Sequence, residues 1–588
     1  MAKDSIEESK TGMEAVPVVN AGTAGTTPEL SAIPLGESAA GETLPGERQH
    51  IVKSATLVML GNLGSSVMGM VRQQVVASFG QGIASPFLSA ITPAQTFNDF
   101  LINGSINGAL VPTFNDYAEP EKREQLRRLV FTIVNLVFLI MLVSAIVFLF
   151  IAPWFINNIQ VPGYTPQEKL LTTQFARIIF FSLLALGPFA VLQAALFARK
   201  EFGWPAVATA AYHIGIIIGA IVGALVGNHY LGQYGLAFGV LLGAAGEIAL
   251  LLPGLRNQRL RYMFVLDLKQ PALRRILNLY KWIALSFLVS AFFIILDQSL
   301  ATRTPGAGSD PGAANYLAMR LSTTLIQFPA GLVATALSVA VLPTLTEHAR
   351  AIDNERFKKT LLLGFRLGLL LMIPAAAGLM VLGLPIVSLL YQHGRFTAHN
   401  AQLTSLALAL YAFQLPFVAI DQLLLSAFYA RKNTITPVIV GFVCYGSYLA
   451  VALPFWQTVG MPALVVANTV QNSLHAVILL VLLRMTIGPL RLREIISAFL
   501  KISAATIAMV AVAWGLQVLF GHIRLFSLNH LTGQFLTVLV SGLIAVGVYV
   551  SGVLLLRVEE VGMMKGIVMA KLGRRSTPVT TSIERQDT

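Results

Sequence analysis

The chain has 588 residues, of which 55% are hydrophobic and only 12% charged, where a soluble domain carries about a quarter. That deficit leaves too little charge for a water-facing globular surface, so the expected fold is an all-α polytopic membrane protein. The net charge of +13 fits basic residues gathered in cytoplasmic loops rather than a nucleic-acid partner, and the single cysteine, Cys444, excludes an internal disulfide and a cysteine metal cluster.

Residues 1–50 are rich in Gly, Ala, Ser, Thr, Pro and Glu and lack apolar periodicity, which predicts a disordered cytoplasmic tail. They also lack the basic segment and apolar core of a signal peptide, so the first span is expected to serve as the entry signal. A bilayer core of about 30 Å takes about 20 apolar residues in a helix. That measure predicts fourteen transmembrane helices, near 52–78, 84–111, 129–155, 171–198, 204–227, 234–255, 275–300, 314–343, 359–391, 401–430, 434–454, 461–484, 496–520 and 532–557. Basic residues then alternate with the loops. Lys122, Arg123, Arg127 and Arg128 follow span two, Arg199 and Lys200 follow span four, and Arg256, Arg259, Arg261, Lys269, Arg274 and Arg275 follow span six. The same parity continues at Arg350, Arg356 and Lys358, at Arg431 and Lys432, and at Arg484, Arg491 and Arg493, while the opposite loops hold few basic residues. Both termini are therefore expected in the cytoplasm.

Two strings recur. LVPTFNDYA at 110–118 matches VLPTLTEHA at 341–349, and LFARKEFGWP at 196–205 matches FYARKNTITP at 428–437. Pro112 and Pro343 are 231 residues apart and Arg199 and Arg431 are 232 apart, so a duplicated unit is expected. The predicted organisation is a tail at 1–50, one six-helix lobe at 51–256, a second at 257–485, two further helices at 486–558 and a cytoplasmic tail at 559–588. Both lobes start and end on one side, which makes them parallel repeats.

The stretch Asn315–Arg350 concentrates the unusual features: Arg320 stands in an apolar run that Pro329-Ala330-Gly331 is expected to break, and Pro343 ends it. A buried arginine and a broken span are both costly in lipid and point to function. In span two, Asn98, Asn103 and Asn107 share a face, beside Gly104 and Gly108. This face is either a cavity wall or a small-residue packing seam. Asp99 at mid-span needs a cation, with Arg72 or Arg320 in view; both arginines have the alternative of reaching to the outer interface. Gln327 is a further polar residue at depth. Asp297 is either a solvated helix end or a ligand for a coupling ion, and His213 and His475 are each either a helix–helix hydrogen bond or a proton relay. No P-loop, HExxH or GxSxG motif is present, so no catalytic residue is assigned and an enzyme is not expected.

Fourteen spans arranged as six, six and two resemble the multidrug/oligosaccharidyl-lipid/polysaccharide exporter superfamily. Within it, GALVPTFNDYA, QFPAGLVATALSVAVLPTL, LLYQHGRFT and AFYARKNTITPV look like the MviN/MurJ family of lipid II flippases, over about residues 52–557. The resemblance implies two lobes around a cationic cavity that takes the diphosphate and head group of lipid II or a related undecaprenyl-diphosphate lipid, in the bacterial plasma membrane, with no cofactor and with sodium or the membrane potential as driving force. Carried over by position, Arg72 in GMVRQ and Arg320 are the family's cavity arginines, and the substrate-binding set becomes Arg72, Arg320, Asn98, Asp99, Asn103 and Gln327, with Asp297 for ion coupling. The chain departs from the family where Asn98 and Asp99 replace span-two arginines, where span eleven lacks a carboxylate, and where Arg320 stands about four residues farther than usual from Pro329, about 6 Å of helix rise. The alternatives are an exporter of another lipid-linked glycan or a small cationic compound, and a non-transporting scaffold for cell-wall synthesis proteins.

Overall fold

The computed structural model describes residues 61, 64–99, 109–117, 119–227, 232–308, 310–490 and 492–558, without the side chains of 120, 279–286, 334–336, 338–340 and 492. The two predicted tails and residues 100–108, Asn103 and Asn107 among them, lie outside the described residues. Within those residues the regular structure is helical throughout. In chain order the elements are α1 (64–77), α2 (Gln81–Asp99), the short α3 (Val111–Asn115), α4 (Arg123–Phe155, prolonged by a π turn), α5 (Pro166–Phe180), α6 (Leu183–Ala198), α7 (Gly203–Val226) and α8 (Gly235–Asn257). Then come α9 (Pro271–Arg303), α10 (Pro311–Arg350), α11 (Asn354–Val381), α12 (Gly383–Tyr391), α13 (Ala398–Ala412), α14 (Leu415–Ala430), α15 (Ile435–Phe455), α16 (Met461–Ile487), α17 (Leu492–Gly521) and α18 (Leu531–Leu555).

Eight of these helices are individually long and apolar enough to cross a bilayer: α4, α7, α8, α11, α15, α16, α17 and α18. Taking α5 with α6 and α13 with α14 as bent spans gives ten. Each expected span overlaps a helix, and among the described residues eight to ten spans meet the length and composition measure, which leaves the expected count of fourteen untested. The chain is a multi-pass membrane protein, and its outer surface agrees: Phe150, Leu225 and Leu555 are about four-fifths exposed. Such a surface suits hydrocarbon, not water.

The duplication extends well beyond the two matching strings. The α5–α6 pair bends by 42° and the α13–α14 pair by 45°, between helices whose ends are 232 residues apart. Pro416, two residues into α14, explains the second break, because its ring excludes the carbonyl one turn earlier. Thr165 caps α5 and Thr397 caps α13, each accepting a backbone N–H three residues on, again at the same separation. Lys200 and Lys432, the matched residues after α6 and α14, both take φ of 58°.

One expectation fails. α10 is a single helix of 40 residues that runs through Pro329 and Pro343. Each proline removes one backbone hydrogen bond, but α10 packs along α11, α13 and α14 and meets α2, and that lateral packing keeps the helix continuous through the defect. α10 is the central post of the molecule.

α7 and α8 approach more closely than any pattern singled out above. Gly215, Gly219 and Gly223 face Gly243, Gly239 and Gly235, and a Cβ on Gly219 would lie 2.3 Å from the Gly235 carbonyl oxygen and 2.5 Å from the Gly239 Cα. Four-residue glycine spacing on both helices puts backbone against backbone, the small-xxx-small seam of membrane helices.

Candidate functional site

α2 and α10 start at the same end of the molecule and run side by side. Their first halves are stitched together. Ser85 Oγ donates to the Ala313 carbonyl at 2.8 Å, and Tyr316 OH donates to the Leu88 carbonyl at 3.4 Å and lies 3.3 Å from Thr92 Oγ1. Around this seam Gln160 Nε2 donates to the Ser89 carbonyl at 2.7 Å and to Gln298 Oε1 at 3.2 Å, and the Arg395 N–H donates to the Ser78 carbonyl at 2.8 Å. The backbones touch here: a Cβ on Gly163 would stand 2.0 Å from the Thr302 carbonyl oxygen, and one on Gly394, at φ +62°, 2.5 Å from that of Ser78.

Beneath the seam lies a cavity of about 870 Å³, its open part included, walled by α9, α10, α13, α15 and α16, with Gln414 at the α13–α14 bend, and touched by Thr92 of α2. Asp297, Arg320 and Gln327 line it. Arg320 is only 9% exposed, and its Nη2 donates to Gln95 Oε1 on α2 at 3.0 Å. Gln95 lies fourteen residues into its helix, about 21 Å of rise. Arg320 therefore bridges α10 to α2 and does not reach back to an interface. The longer spacing to Pro329 is taken up without a break in the helix. Its backbone carbonyl also accepts the hydroxyls of Thr323 and Thr324, which ties the polar face of this turn together.

Arg72, on α1, is buried at 8% exposure, and its Nη1 has no hydrogen-bond partner among the described residues. It lies within Coulombic range of Arg320 and of the hydroxyls of Tyr212 and Tyr391. Two guanidinium groups that repel one another in a buried site make a seat for an anion, since an anion between them offsets both the repulsion and the lost hydration. Asp99, on α2, also lies within Coulombic range of Arg320, one of the two cations in view from sequence. Asn98 beside it has a buried Oδ1 with no partner among the described residues.

Asp297 is no solvated helix end. Its carboxylate accepts the Tyr448 hydroxyl of α15. Arg366 of α11 lies 4.0 Å from the Glu494 carboxylate of α17. The residues that sequence reasoning missed are Gln95 and the tyrosines Tyr316, Tyr411, Tyr445 and Tyr448. A periodic signal was present: Tyr316, Arg320, Thr323 and Gln327 follow helical spacing on one face of α10, and Gln95 precedes Asp99 by four. No group of three or more His, Cys, Asp or Glu side chains suited to a metal ion occurs among the described residues.

The family described as "Lipid II flippase MurJ" matches residues 75–533. A protein of Bdellovibrio bacteriovorus named probable lipid II flippase MurJ is 25% identical over 473 residues, covering 79% of this chain and 88% of its own length. One of Synechocystis with the same name is 27% identical over 544 residues, covering 90% and 98%. Among solved structures, a lipid II flippase MurJ in an inward closed conformation superposes with a TM-score of 0.69 at 22% identity, covering 85% of this chain and 99% of that one. An inward-facing multidrug resistance MATE family transporter of the MOP superfamily gives 0.60 at 15% identity, covering 73% and 95%. These two likenesses show that the fold is shared.

Proposed function

The chain belongs to the lipid II flippase MurJ family, and from that membership together with the buried Arg72–Arg320 site we propose that it moves a polyprenyl-diphosphate-linked peptidoglycan precursor, lipid II, from the cytoplasmic to the outer leaflet. The observation that carries the reading is the pair of buried guanidiniums within range of one another beside a polar cavity. A diphosphate offers several acceptor oxygens and at least two negative charges, which matches two forked donors. The neutral amides Gln95, Asn98, Asn103 and Gln327 are assigned to the sugar and peptide head group.

The setting is the bacterial plasma membrane with both termini in the cytoplasm, as the basic loops require. In that orientation the α2–α10 seam is the outer gate, and the lobes 51–256 and 257–485 rock about the site to alternate access, the remaining two of the fourteen helices flanking the second lobe. Of the two energy sources expected, the geometry favours the membrane potential. Asp297 is a single carboxylate already engaged by Tyr448 of α15, and α15 contributes no second carboxylate to a sodium site.

Thermal stabilisation of the purified protein tests the assignment. Lipid II raises the melting temperature of the wild type, and the rise is lost in Arg72→Ala and Arg320→Ala. Equal stabilisation by unrelated polyprenyl diphosphates would instead favour an exporter of another lipid-linked glycan, a reading that the Asp99 charge near Arg320 also supports.

A further inference from the structure

The second half of the molecule holds a buried polar pair that the cavity chemistry does not use. Asp421 stands midway along α14 and His475 midway along α16, 7% and 8% exposed. His475 Nδ1 lies 2.7 Å from Asp421 Oδ1, and its Nε2 lies 3.3 Å from the carbonyl oxygen of Pro437, in the first turn of α15. Each ring nitrogen thus faces an oxygen. A neutral imidazole has one N–H and one lone pair, so beside an ionised carboxylate it can satisfy only one of these contacts and turns its lone pair toward the other oxygen. One additional proton removes the conflict. It sits either on the ring, as imidazolium against carboxylate, or on the carboxyl, which then donates to Nδ1 while Nε2–H donates to Pro437. In both arrangements each contact contains a hydrogen.

We propose that Asp421 and His475 form a proton-binding site that carries one proton in this conformation and thereby pins the first turn of α15 to α14 and α16. When the proton leaves to water, the pair changes from net zero to net −1. The ring then keeps one hydrogen, at Nδ1 toward Asp421 or at Nε2 toward Pro437, and the contact left without a hydrogen is released. The groups around the pair leave it as the charged centre. Cys444 of α15 is the titratable neighbour within reach of the Asp421 charge. On α11, Gly364 and Gly368 face Leu423 and Ala419 of α14, which puts Arg366 at the level of Asp421, yet its guanidinium lies by Glu494 of α17. Asp297 of α9, Arg320 of α10, Tyr411 of α13, and Tyr445 and Tyr448 of α15 line the cavity instead. Asp421 is the charged group acting on His475 among the described residues.

The site also has a route to the cavity. Gln471, one turn before His475, lines it, and Asn472 donates to Gln414, likewise a lining residue. A shift of α16 on proton loss therefore moves the cavity wall. The inference holds whatever the transported molecule is.

The test is ¹⁵N magnetic resonance on histidine-labelled full-length protein in lipid nanodiscs, with the His475 signals identified by their loss in His475→Gln. In the wild type at pH 7 both ring nitrogens of His475 are protonated, or else an infrared carboxylic-acid band is present that disappears in Asp421→Asn. In Asp421→Asn the ring is a single neutral tautomer at pH 7, and the pH at which it loses its second proton falls by at least one unit. Should His475→Gln fail to fold, the shift of the same resonance in Asp421→Asn identifies it. A wild-type His475 with one N–H at pH 7, together with an ionised Asp421, overturns the proposal and leaves the pair a plain helix–helix hydrogen bond.

Discussion

Replacing Gly163 by alanine tests the closed seam with the smallest possible change. The added Cβ would stand 2.0 Å from the Thr302 carbonyl oxygen, 2.4 Å from its carbon and 2.8 Å from the Arg303 nitrogen. Ordinary van der Waals contact begins at 3.4 Å, so the two backbones must part by about 1.4 Å. The obstructing atoms are main chain on both sides, and no flexible side chain can absorb the overlap. Overpacking of this kind costs about 1–3 kcal/mol. The strain exists only while the α4–α5 connection presses on the end of α9, so it bears on the closed state. A bias of that size shifts the closed–open equilibrium by about 5- to 150-fold. Gly163 is not among the residues with positive φ, so the methyl group itself carries no backbone penalty in the open state. The assay is thiol labelling of Ser85→Cys, a fully buried position in the seam, after the one native cysteine, the buried Cys444, is changed to serine, with the rate compared with and without Gly163→Ala in that same background. Labelling by a membrane-impermeant maleimide accelerates at least fivefold when Gly163→Ala is added. An unchanged rate in a protein with normal melting would refute the idea that this contact holds the seam.

Other parts of the structure give equally specific outcomes. Gly219→Leu forces α7 and α8 apart at their closest approach and lowers stability by about 1–3 kcal/mol or more, read as a fall in melting temperature; an unchanged value would deny the glycine seam its role. Tyr448→Phe removes the donor to Asp297 and costs about 1.5–3 kcal/mol, the range for a hydrogen bond to a charged group, again by thermal melting. Arg320→Lys keeps the charge but not the fork that reaches Gln95, so lipid II affinity falls about tenfold in a binding titration, and wild-type affinity would show that charge alone suffices. Asp116→Ala breaks an exposed 3.0 Å pair with Arg275 and changes stability by less than about 1 kcal/mol.

Much of this was legible in the sequence because membrane helices write their constraints plainly. The apolar runs each overlap a helix, and the 231- and 232-residue offsets predicted a duplicated unit, to which the structure adds matched bends, caps and left-handed lysines at the same separation. What was not legible depends on neighbours. Pro329 reads as a helix breaker, but α10 is packed laterally by α11, α13 and α14, and that packing decides the outcome. Arg320 reads equally well as snorkelling or buried until Gln95 is seen opposite it. The tyrosines of the cavity pass for ordinary apolar residues, since only the fold turns their hydroxyls inward. Asp421 and His475 are each ambiguous alone, and 54 residues of chain separate the two halves of one contact.

The central claim is that Arg72 and Arg320 together seat the diphosphate of a lipid-linked cargo. The direct measurement is protein-dependent appearance of the lipid II head group on the far leaflet of reconstituted vesicles, comparing wild type with Arg72→Ala/Arg320→Ala under the same membrane potential. Loss of two charge-assisted contacts, each about 1.5–3 kcal/mol, predicts a rate at least tenfold lower in a protein that still melts cooperatively. Wild-type transfer by the folded double variant, or no protein-dependent transfer at all by the wild type, would contradict the account.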